Sequence, residues 1–268
     1  MKILKKLRNL ALGGALMLSP YLANADDIFK GVRGSTNWQL DLRASYTQRT
    51  DSKETTVKTF SDNVVLKYWD GDKIGLFGFF NIPAYKSVDN GTSESRGFGD
   101  LTFGIGPRGK ISLGEKGTLH FLSYAGPSMP TGDNHRNPAL GNDRLDIKTG
   151  IFSTYLTKNR AFEIDTSFEY TLAGENSKGI RGVDEMTAGA VVGGRITQDN
   201  LIRVAGGIES RFKEDLKEGW NYAYGPRAVL RITPPNKNWH LELLGDYDMA
   251  SKHLPDGFSG GLQLRINF

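Results

Sequence analysis

The last eleven residues of the chain, 258–268, alternate strictly between two kinds of side chain. One set is apolar or glycine, and its members are Phe258, Gly260, Leu262, Leu264, Ile266 and Phe268. The positions between them are small or polar, and they are Ser259, Gly261, Gln263, Arg265 and Asn267. This period of two predicts a β-strand with one apolar and one polar face. A strand tilted across a bilayer needs roughly 9–11 residues, so this segment is long enough to cross one.

The same alternation recurs along most of the chain. Five segments show it clearly, and they are 38–46, 162–172, 202–212, 222–232 and 239–249. Six further segments show it less cleanly, and they are 60–69, 73–86, 98–111, 118–129, 145–156 and 185–196. In two of these, 73–86 and 118–129, the pattern does not distinguish one face from the other. The total is twelve strands, and bacterial outer-membrane barrels have an even number.

The connections between the predicted strands alternate strictly between short and long. The short ones are tight turns at 70–72, 113–117, 157–160, 198–200 and 234–238. The long ones are polar and lie at 50–59, 87–97, 130–144, 174–184, 213–219 and 251–257. Short periplasmic turns and longer extracellular loops are the pattern of outer-membrane barrels. The chain is therefore predicted to be an all-β, transmembrane antiparallel β-barrel with both termini in the periplasm.

Aromatic residues cluster near both ends of these strands, as expected for rings at two lipid–water interfaces. The predicted periplasmic girdle contains Trp38, Trp69, Tyr155, Phe162, Trp239 and Phe268. The predicted outer girdle contains Tyr46, Phe60, Tyr170, Phe212, Tyr222 and Phe258. A soluble β-sandwich or lipocalin-like barrel would also alternate, with its apolar face inward. The girdles, the alternating connections and the terminal Phe268 favour the membrane barrel. This last strand resembles the one that outer-membrane proteins present to their assembly machinery.

The N-terminal segment has the three parts of a secretory signal peptide. Lys2, Lys5, Lys6 and Arg8 precede an apolar run at 10–18, and Ala23-Asn24-Ala25 is a small-x-small cleavage motif. The apolar run is shorter than the roughly 20 residues of a membrane-spanning helix, which argues against an uncleaved anchor. We expect residues 1–25 to be a cleaved signal, 26–36 a periplasmic or lumenal segment, and 37–268 a barrel in the outer membrane of a Gram-negative cell. Its expected surroundings are lipid and lipopolysaccharide.

Charge and cysteine content narrow the functional classes. The chain has 34 Lys and Arg against 30 Asp and Glu, and the four basic charges of the signal account for the excess. A balanced mature chain gives no reason to expect nucleic acid as a partner. There is no cysteine, so disulfide staples and thiol chemistry are excluded.

The polar faces of the predicted strands supply candidate pore-lining residues. They are Asp41, Arg43, Lys67, Asp100, Arg108, Asp146, Lys148, Glu163, Asp165, Glu169, Arg195, Arg203, Glu209, Arg211, Arg227, Arg231, Glu242, Asp246, Asp248 and Arg265. These charges indicate either a solute-selecting pore or a structural network that fills a narrow barrel. Acidic residues concentrate at 163–169 and 242–248, and arginines between 195 and 231. Opposed walls of opposite sign would create a field across the lumen.

No catalytic, metal or cofactor site is predicted. Some barrel enzymes use a His/Ser pair at the outer rim, but none of the four histidines here has a Ser two residues later. Catalysis also needs a base within hydrogen-bond reach of a nucleophile, which sequence alone does not reveal across strands. Asp246 and Asp248 face the same side and are compatible with a bound cation, although solvated lumenal carboxylates are the favoured interpretation. The chain is therefore not expected to be an enzyme.

Two motifs carry a family resemblance. Gly97-Phe98-Gly99-Asp100-Leu101 begins one strand, and Met129-Pro130-Thr131-Gly132-Asp133 ends the next, followed by Leu140-Gly141. Together they resemble the G-x-G-D-L strand and L-P-T-G turn of the MetA-pathway of phenol degradation family, with Met129 in place of the usual Leu. The resemblance implies an outer-membrane channel for passive movement of small, often hydrophobic or aromatic compounds. A closed structural or adhesive barrel and a lipid hydrolase at the rim remain the alternatives.

Export predicts that the mature protein begins at Asp26. The intact mass of protein purified from outer membranes should equal that of residues 26–268, because signal peptidase cuts after a small-x-small motif. A mature form that retains the basic residues Lys2 to Arg8 would contradict the export prediction.

Overall fold

The computed structural model describes residues 38–51, 54–70, 74–197, 202–215, 219–233 and 239–268. The predicted signal peptide and the segment 26–36 lie outside these residues. The described chain is a closed antiparallel barrel of twelve long strands with two short added strands, β4 and β13. The strands are β1 Trp38–Thr50, β2 Thr56–Trp69, β3 Ile74–Asp89, β4 Glu94–Gly97, β5 Leu101–Ser112, β6 Thr118–Met129, β7 Asp146–Leu156, β8 Phe162–Leu172, β9 Glu185–Arg195, β10 Ile202–Asp215, β11 Gly219–Ile232, β12 Trp239–Tyr247, β13 Ala250–Lys252 and β14 Asp256–Asn267.

Each long strand pairs with the long strands before and after it, and the first pairs with the last. β1 and β14 run antiparallel with Leu40 opposite Ile266 and Tyr46 opposite Gly260. β10 pairs with β11, which joins the two halves of the sheet into one ring. Backbone groups without partners cost several kcal/mol each in hydrocarbon, and the ring leaves no strand edge facing lipid.

The two faces of the wall have the polarity of a membrane barrel. Along β11, Tyr222 and Tyr224 are exposed, whereas Asn221, Ala223 and Arg231 are buried. Apolar side chains therefore point outward and charged ones inward, which is the reverse of a soluble barrel. This polarity decides against the soluble sandwich or lipocalin-like alternative.

One residue of the predicted periplasmic girdle, Trp69, does not face lipid. Trp69 is buried in the lumen, and the Arg108 guanidinium carbon lies 5.2 Å from its ring centroid. Trp69 lies two residues after Lys67 on β2, so both side chains lie on the inner face of the strand. Trp38, Phe162 and Phe268 are exposed on the outer face, as a girdle requires.

The structure also resolves the two strands whose faces the sequence left undecided. β3 directs Phe77 and Phe79 inward, and β6 directs Leu122 and Tyr124 inward. Both strands have apolar residues on both faces, because this sector of the lumen is itself apolar. A β-bulge on β3 leaves Ala84 unmatched between the pairs Asn63–Pro83 and Asp62–Tyr85.

The polar connections contain more structure than their composition indicated. The predicted loop 87–97 is a hairpin in which β4 pairs with the end of β3, with Val88 opposite Ser95. Asn90 closes its turn by accepting hydrogen bonds from the amides of Thr92 and Ser93. The predicted turn at 113–117 contains a single 3-10 turn, Gly114–Lys116. Across the described ranges, no helix has the length and apolar character needed to cross a membrane.

A charged side chain on the lipid-facing surface should destabilise the barrel more in the middle of the membrane than near an interface. Leu243 lies in β12 and is 41% exposed on the outer face, so Leu243→Arg should cost about 2–4 kcal/mol in folding free energy. Met249, which is exposed beyond the end of β12, provides the control, because Met249→Arg near an interface should cost about 0–1 kcal/mol. Urea titrations of both variants in lipid vesicles measure the difference. Equal costs would show that the facing of β12 is misassigned.

Candidate transport lumen

An open vestibule occupies the outer half of the lumen. Its volume is about 490 Å³, which is within the range of sites for small molecules. Its walls combine hydroxyl, aliphatic and charged side chains. They are Thr47, Arg49, Asp51, Thr55, Val57, Thr59, Ser61, Lys86, Val88, Ala139, Lys213 and Pro255.

The loop at 130–145 is anchored over the rim of this vestibule by the two sequence motifs. The Thr131 hydroxyl accepts a hydrogen bond from the Leu101 amide at 2.9 Å and donates one to the Gly99 carbonyl at 2.9 Å. The Asp100 carboxylate accepts hydrogen bonds from the amides of Gly132, at 3.0 Å, and Asn142, at 2.8 Å. The motifs therefore form one structural unit that holds the loop.

The same loop reaches into the barrel at Leu140. The Leu140 side chain is fully buried, and the backbone carbonyl of Leu140 accepts a hydrogen bond from the Lys86 ammonium at 2.8 Å. Farther out on the loop, Arg136 donates to the Asp133 carboxylate at 2.8 Å, and this hydrogen bond lowers the pKa of Asp133. The loop thus narrows the entrance of the vestibule at Leu140, and its outer part carries the Arg136–Asp133 ion pair.

Toward the periplasmic end, an arginine joins carboxylates from two parts of the wall. Arg231 on β11 is 1% exposed and donates to Glu242 on β12 at 2.8 Å. Its two terminal nitrogens contact Glu163 and Asp165 on β8, the latter at 3.4 Å. Arg203 on β10 also pairs with Glu163, at 2.6 Å. We call these five side chains the Arg231 network.

A second set of ion pairs lies where the first and last strands meet. Asp41 is fully buried and contacts Lys67 at 2.6 Å, Arg265 at 3.1 Å and Arg43 at 3.1 Å. Gln39 donates to the same carboxylate at 2.6 Å. The side chains of three adjacent strands, β14, β1 and β2, are thereby joined around one carboxylate.

Smaller ion pairs continue toward the outer end. Asp248 pairs with Arg211 at 2.6 Å and with Arg49 at 3.6 Å. Glu209 pairs with Arg227 at 3.2 Å. The acidic strands β8 and β12 flank the arginine-bearing strands β10 and β11 rather than facing them across the lumen. The expected transverse field between opposed walls is therefore replaced by ion pairs among nearby strands.

An aromatic sector lines the wall formed by β2, β3, β5, β6 and β7, and its large side chains come from all of these strands except β5. Five of its side chains are buried and form one cluster with Phe79 packed against it, and they are Trp69, Phe77, Leu122, Tyr124 and Phe152. The rings of Phe79 and Tyr124 meet edge to face with centroids 4.9 Å apart, and the Tyr124 hydroxyl donates to Glu169 at 2.5 Å. This hydrogen bond joins the aromatic sector to the charged one.

Two inward-facing glycines make room for these rings. A Cβ at Gly104 would lie 2.6 Å from Phe79 and 2.8 Å from Tyr124, and a Cβ at Gly150 would lie 2.6 Å from Tyr124. Side chains at either position would displace the rings. The glycines of β5 and β7 therefore allow the aromatic residues to lie flat against the wall.

The structure places most of the candidate pore-lining residues on the inner face, with a few at the two rims. Asp100 and Asp146 lie at the outer rim, where Asp146 accepts from the Gly174 amide at 3.0 Å and pairs with Arg144 at 2.7 Å. Arg195 lies at the periplasmic rim and donates to the Asn159 carbonyl at 3.4 Å. The aromatic sector was missed by the sequence analysis, because selecting charged residues overlooks apolar inner positions.

The side chains considered for other chemistry have structural contacts. Asp248 is paired with arginines, and Asp246 accepts from the Ser259 hydroxyl. His120 and His240 are buried on strands β6 and β12 near the periplasmic end, away from the outer rim. Among the described residues, no group of three or more His, Cys, Asp or Glu side chains is arranged to hold a metal ion.

The fold resembles solved outer-membrane barrels. An outer-membrane channel from Pseudomonas putida F1 shares 15% identity, with 87% of this chain and 96% of that chain covered and a TM-score of 0.66. The β-domain of the Bordetella autotransporter BrkA shares 13% identity over 87% of this chain and 100% of that chain, with a TM-score of 0.53. The translocator domain of NalP from Neisseria meningitidis shares 11% identity over 100% and 96%, also with a TM-score of 0.53. At these identities the likeness shows the fold alone.

Sequence comparisons gave two results. Residues 30–234, which are most of the chain, match the model of the family described as the MetA-pathway of phenol degradation. A search of curated proteins gave no match.

The Arg231 network should contribute to stability through charge compensation. Arg231→Met should destabilise the barrel by about 3–5 kcal/mol, because it leaves buried carboxylates without their cation. Arg96→Met removes the same group from an exposed pair with Glu94 and should change stability little. Urea unfolding of both variants gives the comparison. A neutral result for Arg231→Met would mean that water or other groups compensate these carboxylates.

Proposed function

Since this chain belongs to the family of the MetA-pathway of phenol degradation, we propose that it is an outer-membrane channel for passive movement of small solutes, chiefly hydrophobic or aromatic ones. The observation that carries the proposal is the inward-facing aromatic sector, in which Trp69, Phe77, Tyr124 and Phe152 supply buried rings. Lipid does not contact these side chains, so the membrane does not require them to be aromatic. A wall of rings offers apolar contact and favourable stacking to an aromatic solute.

The charged sector beside it gives the lumen a second character. The Arg231 network and the pairs around Asp41 hold their charges in fixed contacts, so the wall is polar without a large excess of one sign. An aromatic solute with a polar group would contact rings on one side and hydrogen-bonding groups on the other. This arrangement favours small amphipathic compounds over sugars or large ions.

Passage requires movement in the periplasmic half. The vestibule is open, but Arg231, Arg265 and Phe152 are almost completely buried toward the periplasmic end. A solute would have to displace phenylalanine rings such as Phe77 and Phe152, which contact the neighbouring rings of Phe79 and Tyr124. The ion pairs would stay in place, because separating a buried pair is costly. The aromatic sector is therefore the proposed path.

The same burial favours a second candidate, a structural or adhesive barrel sealed by its own side chains. Its support is the burial of Asp41, Glu163 and Arg265, none of which exposes any surface. The two candidates differ in whether the aromatic sector can open. Neither requires a catalytic step or a cofactor, and we do not propose an enzyme.

The membrane surroundings follow from the same proposal. We place the barrel in the outer membrane, in contact with phospholipid and lipopolysaccharide. The last strand, which ends at Asn267 and is followed by Phe268, would be the segment recognised by the assembly machinery. In the structure the Phe268 amide donates to the Trp38 carbonyl, so this end joins the first strand in closing the ring.

Removing one ring from the lumen should increase conduction. Phe152 is 1% exposed and faces inward, whereas its neighbour Ile151 is 61% exposed and faces outward. Phe152→Ala should raise single-channel conductance in a planar bilayer because it widens the proposed path. Ile151→Ala is the matched control and should leave conductance unchanged, since its side chain contacts lipid.

Uptake by cells completes this test. Cells that produce the protein should accumulate a radiolabelled aromatic compound faster than cells that lack it, because lipopolysaccharide slows apolar solutes. The sealed-barrel candidate would be correct if neither wild type nor Phe152→Ala conducts and uptake is the same with and without the protein.

A further inference from the structure

The outer vestibule has more cationic than anionic side chains in its walls. Arg49, Lys86 and Lys213 line it, against one carboxylate, Asp51. Asp51 is already used within its own loop, where it accepts from the Thr55 amide at 2.9 Å. The remaining lining groups are hydroxyl or aliphatic, so three cations and one carboxylate set the charge of the vestibule lining, which is net positive.

Two of these cations have carboxylate partners. Lys213 pairs with Glu185 at 2.7 Å, and both side chains are well exposed. Arg49 shares Asp248 with Arg211, at 3.6 Å and 2.6 Å. Asp246 and Glu209 also interact electrostatically with both guanidinium groups, so these arginines have acidic neighbours besides Asp248.

Lys86 differs from both. Its ammonium donates to the Leu140 carbonyl, and within the described part of the chain no carboxylate lies at ion-pair distance from it. An ammonium has three donors, so two remain for a ligand. Asp100, with which Lys86 interacts electrostatically, is held by the amides of Gly132 and Asn142. Lys148 adds a second positive charge nearby.

We propose that this vestibule binds the carboxylate group of small amphipathic acids, such as aromatic or short alkyl carboxylates, with Lys86 as the principal contact. The inference rests on the proposed channel function, because it treats the vestibule as the entrance. A carboxylate accepts strong, charge-assisted hydrogen bonds from an ammonium. Val57, Val88 and Ala139 supply apolar contact for the rest of the molecule.

The inner face of β3 connects this site to the aromatic sector. From the outer end inward it presents Val88, Lys86, Pro83, Asn81, Phe79 and Phe77. At about 3.4 Å per residue, Lys86 and Phe79 are roughly 20 Å apart, which is too far for one small acid to contact both. The acid would therefore bind at the vestibule first and reach the rings in a second step.

Titration calorimetry on the detergent-solubilised barrel tests the site directly. Sodium benzoate should bind the wild type more tightly than benzyl alcohol, which has a similar ring and no charge. Lys86→Gln should weaken benzoate binding by about tenfold, as expected for the loss of one charge-assisted hydrogen bond. Lys86→Arg should retain most of the affinity. Heat-modifiable migration on gels confirms that each variant is folded.

Lys58 provides the matched control. It is exposed on β2 at the same end of the barrel, with parity opposite to the vestibule-lining Thr59, so Lys58→Gln should bind benzoate as the wild type does. Equal affinity for benzoate and benzyl alcohol in the wild type, or unchanged benzoate affinity in Lys86→Gln, would overturn the proposal.

Binding and conduction are measured separately, so the two proposals fail separately. Conduction without Lys86-dependent benzoate binding would remove the vestibule site and leave the channel. Lys86-dependent binding without any conduction or uptake would remove the channel and leave a barrel that binds carboxylates.

Discussion

The fold depends on one constraint, which is that a backbone in hydrocarbon must make all its hydrogen bonds internally. The ring that β1 and β14 close satisfies it, since each long strand has two partners. Closure separates the side chains into an outer set that meets lipid and an inner set that does not. Everything proposed about function concerns the inner set. Because these side chains do not meet lipid, they need not be apolar.

The inner side chains differ in character both around the ring and along the barrel axis. Around the ring, a charged sector centred on Arg231 and Asp41 lies beside an aromatic sector that includes Tyr124 and Phe152. Along the axis, an open vestibule lies above the buried side chains of the periplasmic half. Buried ion pairs resist separation, whereas aromatic packing can rearrange without leaving a charge unpaired. The division thus confines any opening to one sector of the wall.

Sequence alone predicted the architecture well, because each strand that crosses the membrane alternates locally between apolar and polar residues. The segment 118–129 was predicted with the bounds that β6 has, and the even strand number follows from the same periodicity. The lumen was harder. Alternation distinguishes faces only when they differ in polarity, and in β3 and β6 both faces are apolar. Trp69 was assigned outward because a Trp near a strand end is typical of a girdle, whereas its parity with Lys67 directs it inward.

Ion-pair partners on strands that are not adjacent could not be predicted either. Arg231 meets Glu163 and Asp165 from β8, and this contact depends on the barrel's curvature and register rather than on sequence spacing. The role of Asp100 was missed for a similar reason, since its partners are the amides of a loop more than thirty residues away. Long-range contacts of this kind become visible only once the ring is closed.

The central claim is that the lumen is open at the outer half and filled at the periplasmic half. Two threonines on the inner face test it, because Thr59 lines the vestibule and Thr154 is buried on β7. The chain has no cysteine, so Thr59→Cys and Thr154→Cys each introduce a single thiol. A membrane-impermeant thiol reagent added to whole cells should label Thr59→Cys rapidly and Thr154→Cys far more slowly. Equal labelling rates at the two positions would contradict the account, because they would mean that water and reagent reach the whole lumen.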